Sequence, residues 1–348
     1  MNRTLSTEFL RSLFFVFVCV LAGSEVHAQS DGYNFQPVML AGAFDTGLWD
    51  MNNSGVAVGF ATIDPHTNAT KGVIYAFGTL TAFTGPAGAV SSDLRGITND
   101  GTIYGNYSRM FIDTGMGFTA GPSQIFSYKD GLFSTYAIGG LVSPYVSGVS
   151  PSGRWIVGQD SATFQGFVFD TMSAVTTVLR RDGARSFAAG ANDAGQIVGY
   201  DRTSTFGGGS VGSAWIYTLA TGTFEDASIP GNARSAATDI NNLGIISGYY
   251  ADSSFQTSQG FTGLGATFRL IIGDGAAITA VRGANDAGVL VGYFGSSSDG
   301  PVSGFIASPV PEPATLTLLL FGFATLILMS SRRRLAETHA EKTKALHR

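Results

Sequence analysis

The sequence is poor in the residues that most enzymes use for catalysis. Between residues 29 and 310 it has one histidine, His66, one glutamate, Glu225, and no cysteine, because the single cysteine of the chain is Cys19. General acid–base and nucleophilic chemistry needs several titratable groups. Zinc sites need histidine or cysteine ligands, and disulfides need cysteine pairs. The sequence therefore predicts no enzymatic activity, no cofactor and no disulfide.

Charged residues are scarce as well. They make up 13% of the 348 residues, whereas hydrophobic residues make up 44%, the opposite of the balance in a disordered chain. Residues 29–310 contain 19 aspartates and one glutamate against 12 lysines and arginines, and this negative charge argues against nucleic acid as a partner. The 47 glycines and 26 phenylalanines favour short strands joined by tight turns.

The first 28 residues have the three parts of a secretory signal peptide. Arg3 and Arg11 form a basic start, residues 13–22 are apolar, and Val26 and Ala28 are small residues at the place where signal peptidase cuts. The apolar run has only ten residues, too few to span a bilayer. We expect cleavage after Ala28 and a mature chain that begins at Gln29.

The other end combines a short motif with an apolar segment. Pro311, Glu312 and Pro313 precede the apolar residues 314–330, and three arginines at 332–334 follow. Seventeen helical residues span about 25 Å, enough for a thin bilayer. The pattern predicts a transmembrane helix at 314–330 and a cytoplasmic tail at 335–348, with the arginines on the cytoplasmic side.

This order of proline–glutamate–proline, apolar span and arginine cluster resembles the PEP-CTERM sorting signal, here at residues 310–334. The resemblance implies export, transient anchoring in the inner membrane through the helix, and processing at or next to Pro311, Glu312 and Pro313 by exosortase, a membrane protease. It also implies a final place at the cell surface or outside the cell, often alongside exopolysaccharide. The tail at 335–348 departs from the family pattern, in which the chain usually stops soon after the arginines. A plain C-terminal anchor is the alternative.

The middle of the chain is a repeat. A segment that ends in a strand and contains an Asn-Asp-x-Gly or similar turn recurs six times, with its central glycine at positions 55, 101, 153, 195, 244 and 288. The spacings average 46.6 residues, and the longest, 52 residues, lies between Gly101 and Gly153. Each copy is followed by an apolar strand, and every copy but the last is then followed by a strand rich in threonine and phenylalanine. The repeats resemble HAF-type extracellular repeats, a family defined by its repeat and not by one activity.

Four short strands in about 46 residues match one blade of a β-propeller. We therefore predict an all-β, six-bladed β-propeller at residues 29–309, followed by the C-terminal transmembrane helix. The last repeat lacks its fourth strand, whereas residues 35–40 form an apolar strand that precedes the first repeat. We expect this N-terminal strand to complete the last blade, so that the ring has no open edge.

The repeated turns carry the candidate metal ligands. Asp100, Asp193 and Asp286 lie at the turns, where carboxylates could bind Ca²⁺. The alternative is a turn in which the side chain accepts backbone hydrogen bonds. Other copies have Ser54, Ser152 or Asn242 there, so a charge is not required, and the turn is favoured.

Two function classes remain. The first, which we favour, is a non-catalytic protein of the surface or extracellular matrix, in which the propeller is an interaction platform for exopolysaccharide or other surface components. The second is an enzyme that acts on extracellular polysaccharide, and a Ca²⁺-dependent adhesin is a further alternative. Repeated aromatic residues could line a glycan-binding face, but they are expected mainly in the core between blades: Trp49, Trp155, Trp215, Tyr200, Tyr249 and Tyr293.

Overall fold

The computed structural model describes residues 29–30, 32–114, 118–181, 185–203, 210–232, 234–252, 256–264, 267–310 and Gly322. The predicted signal peptide, processing residues Ala28, Pro311, Glu312 and Pro313, and cytoplasmic tail lie outside these residues, as does the predicted membrane helix apart from Gly322. The chain divides into a unit of residues 1–309 and a unit of residues 310–348. In the part of the chain that the structure describes, no helix has the length and apolar character needed to cross a membrane.

The first unit is all-β and begins with a short hairpin, β1 (Gln29–Ser30) and β2 (Tyr33–Val38). Four separate antiparallel sheets of four strands follow. The first contains β3 (Asp45–Met51), β4 (Ala57–Asp64), β5 (Ala69–Ala76) and β6 (Thr79–Ala82). The second contains β7 (Ser91–Ile97) and β8 (Ile103–Ser108), then an inserted hairpin of β9 (Phe111–Asp113) and β10 (Phe118–Ala120), then β11 (Gln124–Lys129) and β12 (Leu132–Tyr136).

The third and fourth sheets have the same strand order. The third contains β13 (Pro144–Val149), β14 (Trp155–Asp160), β15 (Gln165–Asp170) and β16 (Val175–Leu179). The fourth contains β17 (Arg185–Ala191), β18 (Gln196–Thr203), β19 (Ser210–Thr218) and β20 (Thr223–Asp226). Each repeat therefore folds as one antiparallel meander, as the repeat period predicts.

The last two repeats share one nine-stranded sheet. It contains β21 (Ser235–Ile240), β22 (Ile246–Ala251), β23 (Ser258–Leu264), β24 (Thr267–Ile271), β25 (Ile278–Ala284), β26 (Leu290–Gly295) and β27 (Val302–Pro309), together with β1 and β2. Two antiparallel groups are joined here by a single parallel pair, Ser258 with Ile278. The arrangement is propeller-like, but four sheets stand alone where the sequence predicted six, because this one pair fuses the last two.

The N-terminal strand pairs with the C-terminal one. β2 runs antiparallel to β27, with Tyr33 opposite Pro309 and Val38 opposite Gly304. The strand expected at residues 35–40 thus lies two residues earlier, beside the predicted partner. Phe35 is 4% exposed, and its ring centroid is 4.5 Å from that of Phe305. Val38 packs in a buried cluster with Leu48 and Val73, so β2 joins the last repeat to the first.

Glycine is required at two positions of each repeat. The six hairpin glycines have φ between 76° and 83°, a left-handed conformation that glycine adopts without strain. A second glycine follows each hairpin glycine by four or five residues and lies against the first strand. A Cβ on Gly59 would be 2.0 Å from the Gly47 carbonyl oxygen, and one on Gly199 would be 2.5 Å from the Trp215 ring. The missing side chains make room for the buried aromatic residues of the third strands.

Candidate functional site

Each repeat has a β-bulge in its first strand, at the residue six positions before the hairpin glycine. The pairing of the first two strands shifts register there in all six repeats, between Leu48 and Asp50 in the first. A bulge leaves one residue outside the ladder and re-aims its side chain. The six residues, which we call the bulge ring, are Trp49, Arg95, Ser147, Ala189, Thr238 and Arg282.

The bulge ring encloses a cavity. The six first strands contact one another in the closed order β3, β7, β13, β17, β21, β25 and back to β3. The six bulge residues, with Phe187 and Tyr200, line a cavity of about 40 Å³. The Arg95 and Arg282 guanidinium carbons each lie 4.1 Å from the Trp49 ring centroid. Trp49 is thus stacked by cations from both neighbouring repeats.

Arg95 is neutralised by Asp93, which is also on β7. The Arg95 Nε donates to Asp93 Oδ2 over 2.6 Å, and the Tyr145 hydroxyl donates to the same oxygen over 2.9 Å. Burial would lower the pKa of Arg95, but the Asp93 charge and Tyr145 raise the pKa overall. Burial also raises the pKa of Tyr145. These side chains form a fixed acceptor-and-donor cluster beside the ring.

The hairpin turns form a second ring, closed by hydrogen bonds between repeats. The Asp193 amide donates to Asn242 Oδ1, the Asn242 amide to Asp286 Oδ1, and the Asp286 amide to Asn53 Oδ1, each over 2.9 Å. The Asn53 amide donates to Asn99 Oδ1 over 3.0 Å. The remaining links run from the Asn99 amide to the Pro151 carbonyl and from the Ser152 amide to Asp193 Oδ1. We call this the hairpin ring.

The candidate calcium ligands therefore have other roles. Asp193 and Asp286 lie two residues before their glycines and bond to the next repeat, whereas Asp100 lies one residue before Gly101. Asp100 bonds to the Thr102 amide and hydroxyl and to Lys129, which lowers its pKa. Asp100 thus makes the expected turn itself, whereas at Asp286 the turn is made by the preceding Asn285, whose Oδ1 accepts from the Ala287 and Val289 amides. No cluster of three or more metal-ligating side chains occurs in the described ranges.

Two further carboxylates lie between the rings. Asp50 and Asp239 directly follow bulge residues and line a small cavity of about 20 Å³. Asp50 Oδ2 accepts from the Ile97 amide over 2.7 Å, and Asp239 Oδ2 accepts from the Ala284 amide over 2.9 Å. Burial raises the pKa of Asp50 to about 6. Burial, and then the Asp50 charge, raise the pKa of Asp239. The other four repeats have glycine here, so the sequence repeat itself marked both positions as exceptions.

A polar cleft of about 290 Å³ lies beside the second repeat. Most of its lining residues carry a hydroxyl, amide or carboxylate group, among them Thr70, Ser92, Asp93, Asn106, Ser123 and Tyr145. Ala120 and Gly121, at the end of the β9–β10 hairpin, form one wall. This hairpin is the insertion that lengthens the spacing between Gly101 and Gly153 to 52 residues, so the long spacing was the sequence signal for the cleft.

The other residues weighed in the sequence are dispersed. His66 is exposed in a turn, where its amide bonds to Asp64 Oδ1, and Glu225 is exposed on β20. Trp215 is fully buried in the core, as expected. Trp49, Tyr249 and Tyr293 instead stack on the bulge-ring arginines. Trp49 also packs between repeats, against Phe60 of its own repeat and Tyr293 of the last.

Comparison with known proteins places one segment. Residues 309–334 match the PEP-CTERM protein-sorting motif. The predicted sorting signal is confirmed, and the motif indicates an exported, membrane-transiting protein that exosortase processes. The match does not extend into the repeats, so the resemblance to HAF-type repeats gains no support from it.

Solved structures similar to the chain are distant. The crystal structure of a nidogen/laminin complex has a TM-score of 0.42 and 13% identity, covering 69% of this chain and 85% of the other. The crystal structure of TolB from Acinetobacter baumannii has a TM-score of 0.44 and 11% identity, covering 87% and 73%. No curated protein matches the chain.

Proposed function

We propose that the exported chain is a non-catalytic protein of the cell surface or extracellular matrix that binds polysaccharide through the polar cleft. The sorting motif supports export and exosortase processing. The cleft carries the proposal, because a saccharide offers many hydroxyl groups and needs matched donors and acceptors with apolar ring faces nearby. Thr70, Ser92 and Ser123 supply hydroxyl groups, and Tyr145 supplies a ring.

Binding fits the cleft better than hydrolysis. Glycosidases commonly use two carboxyl groups at a defined separation. Asp93 is the one acidic residue among those that line the cleft, and its oxygens already bond to Arg95, Tyr145 and Asn106. A hydrolytic enzyme and a Ca²⁺-dependent adhesin remain as outcomes of the test.

The scaffold for this function is a six-bladed propeller closed by β2. The closed contact order of the six first strands and the hydrogen bonds of the hairpin ring support this blade number. The β23–β25 pair supports it as well, because one bridge between two complete meanders is an edge contact and not a shared blade.

The test is a glycan-binding screen with the exported chain and a variant that lacks residues 111–120. The Gly121 amide donates to the Met110 carbonyl over 2.9 Å, so the deletion rejoins adjacent ends. β9 and β10 pair only with each other among the described strands, and the rest of the sheet should be retained. We expect glycan binding to be lost in the variant while its melting temperature stays close to that of the parent.

A point substitution gives a second readout. Ser123→Leu places an apolar side chain in the cleft, whereas Ser134→Leu changes an exposed residue on β12 of the same sheet and is the matched control. Equal glycan binding by both variants and the parent would contradict the proposal. Release of reducing ends from a bound glycan would favour the enzyme, and binding that needs added Ca²⁺ would favour the adhesin.

A further inference from the structure

The bulge ring holds polar groups that the protein itself leaves without partners. Trp49 Nε1, Ser147 Oγ and Arg282 Nε are buried and make no hydrogen bond to any described residue. They are three of the seven such atoms in the described chain, and all three residues line the same cavity. Buried donors without acceptors cost free energy, so their convergence on one cavity points to a ligand that supplies acceptors.

The charge of the cavity is positive. Arg95 has its counter-ion in Asp93, but Arg282 forms no ion pair with any described carboxylate. The Arg282 guanidinium carbon lies over aromatic ring faces, 4.1 Å from the Trp49 ring centroid and 5.5 Å from those of Tyr249 and Tyr293. Asp50 and Asp239, in the adjacent layer, direct their bonding oxygens at the amides of Met51, Ile97 and Ala284. One positive charge is therefore left uncompensated.

The size of the cavity limits the anion. An enclosed water needs a cavity of at least about 10–15 Å³, so a cavity of about 40 Å³ holds roughly three heavy atoms. Three heavy atoms and one negative charge describe a carboxylate group. Its planar shape also suits a guanidinium, which donates two parallel hydrogen bonds to it.

We propose that the bulge ring is a carboxylate-binding site, in which Arg282 is the charged donor and Ser147 Oγ and Trp49 Nε1 add hydrogen bonds. The carboxylate is either a small free acid or the acid group of a uronic acid residue in a saccharide. The site is distinct from the polar cleft and does not depend on glycan binding there.

The test is calorimetric titration of the exported chain with sodium acetate, D-glucuronate and D-glucose. We expect saturable binding of acetate and glucuronate, and a loss of about tenfold or more in affinity for both in Arg282→Gln. Arg282→Lys should be intermediate, because lysine keeps the charge and loses the planar fork. Arg154→Gln is the matched control, since Arg154 stacks on Trp155 at 4.3 Å and bonds to Asp170 outside the ring.

A second variant guards against misfolding of Arg282→Gln. Ser147→Ala removes a hydroxyl that has no partner, so it should fold as the parent does and bind acetate several-fold more weakly. Glucuronate that binds about tenfold more tightly than acetate identifies a saccharide acid, and equal affinities identify a free acid. Absence of saturable acetate binding, or unchanged binding in both Arg282→Gln and Ser147→Ala, overturns the site. A variant that loses D-glucose binding and keeps acetate binding would report on the polar cleft and not on the bulge ring.

Discussion

The hairpin ring and the bulge ring are built from the same six strands, only a few residues apart, yet they differ in composition and bonding. The hairpin ring repeats asparagine and aspartate, and its side chains bond across every described junction between repeats except one, where the Pro151 carbonyl accepts instead. The bulge ring has five different residue types at six equivalent positions. It also keeps three buried polar atoms without partners among the described residues.

The difference has a physical cause. A hairpin turn brings four or more backbone groups close together, and buried backbone groups must be paired, so the side chain that pairs them is restricted to a few types. A bulge residue is outside the ladder and faces a cavity, so the backbone sets no such demand on its side chain. One ring therefore serves the structure of the propeller, and the other can vary for binding.

The strongest way to break both rings is to remove the strand that closes them. A chain that starts at Ala41 loses the buried side chains Tyr33, Phe35 and Val38, each of which contributes roughly 1.5–3 kcal/mol. The loss is comparable with a domain's whole stability of about 5–15 kcal/mol. We expect aggregation or a greatly lowered urea midpoint relative to a chain that starts at Gly32. Equal midpoints would show that the ring does not need β2.

Two glycines of the first repeat allow the bulge region to be compared with the hairpin. Gly59→Ala forces a Cβ to within 2.0 Å of the Gly47 carbonyl oxygen beside the bulge, and we expect a cost of about 3 kcal/mol. Gly55→Ala has no atom within 4 Å of its Cβ and should cost only about 1–2 kcal/mol, from its φ of 78°. Chemical denaturation measures both. A larger loss at Gly55 than at Gly59 would mean that the bulge can relax.

Removing the side-chain amide of a hairpin asparagine next to the hairpin ring should cost more than removing a bulge-ring hydroxyl. Asn241→Ala leaves the Leu243 and Ile245 amides and the Asn285 carbonyl without their side-chain partner, at a cost of about 2 kcal/mol. Ser147→Ala should change the free energy of unfolding by less than about 0.5 kcal/mol, because the hydroxyl has no partner. The two rings would be alike in structural importance if both losses were equal.

The two carboxylates between the rings should make stability depend on pH. The folded pKa of Asp50, about 6, and that of Asp239 are both raised, so the folded state takes up protons before the unfolded state does. Their destabilising effect is present above pH 6 and is lost as the pH falls toward the unfolded values. We expect about 1–2 kcal/mol more stability at pH 5 than at pH 7.5. Replacing both aspartates with glycine, as in the other repeats, should flatten this pH dependence. An unchanged dependence of the unfolding free energy on pH would show that other groups cause it.

The repeat period predicted the meanders, and the missing fourth strand of the last repeat predicted the partner of β2. A repeat of about 46 residues accommodates four short strands, and an unpaired sheet edge requires a partner strand. Both predictions therefore follow from backbone hydrogen bonding. The bulges were not predicted, because a β-bulge accepts many residue types and no shared residue marks its position in the sequence. Trp49 and Arg282 are about 230 residues apart in sequence, and only the closed ring brings them together. The 52-residue spacing between Gly101 and Gly153 indicates an insertion, but the spacing alone does not determine that the insertion forms a hairpin that lines a cleft.

The pairing of β2 with β27 also sets an order of events during export. β2 lies at the N-terminal end of the repeat region, and β27 lies at its C-terminal end and finishes at Pro309, the first residue of the matched sorting motif. Tyr33 must therefore stay unpaired until a segment almost 280 residues later has followed it. Non-local pairing of this kind is slow to form. The repeat region can therefore complete its fold only after all of it, up to two residues before the Pro-Glu-Pro motif, has crossed the membrane.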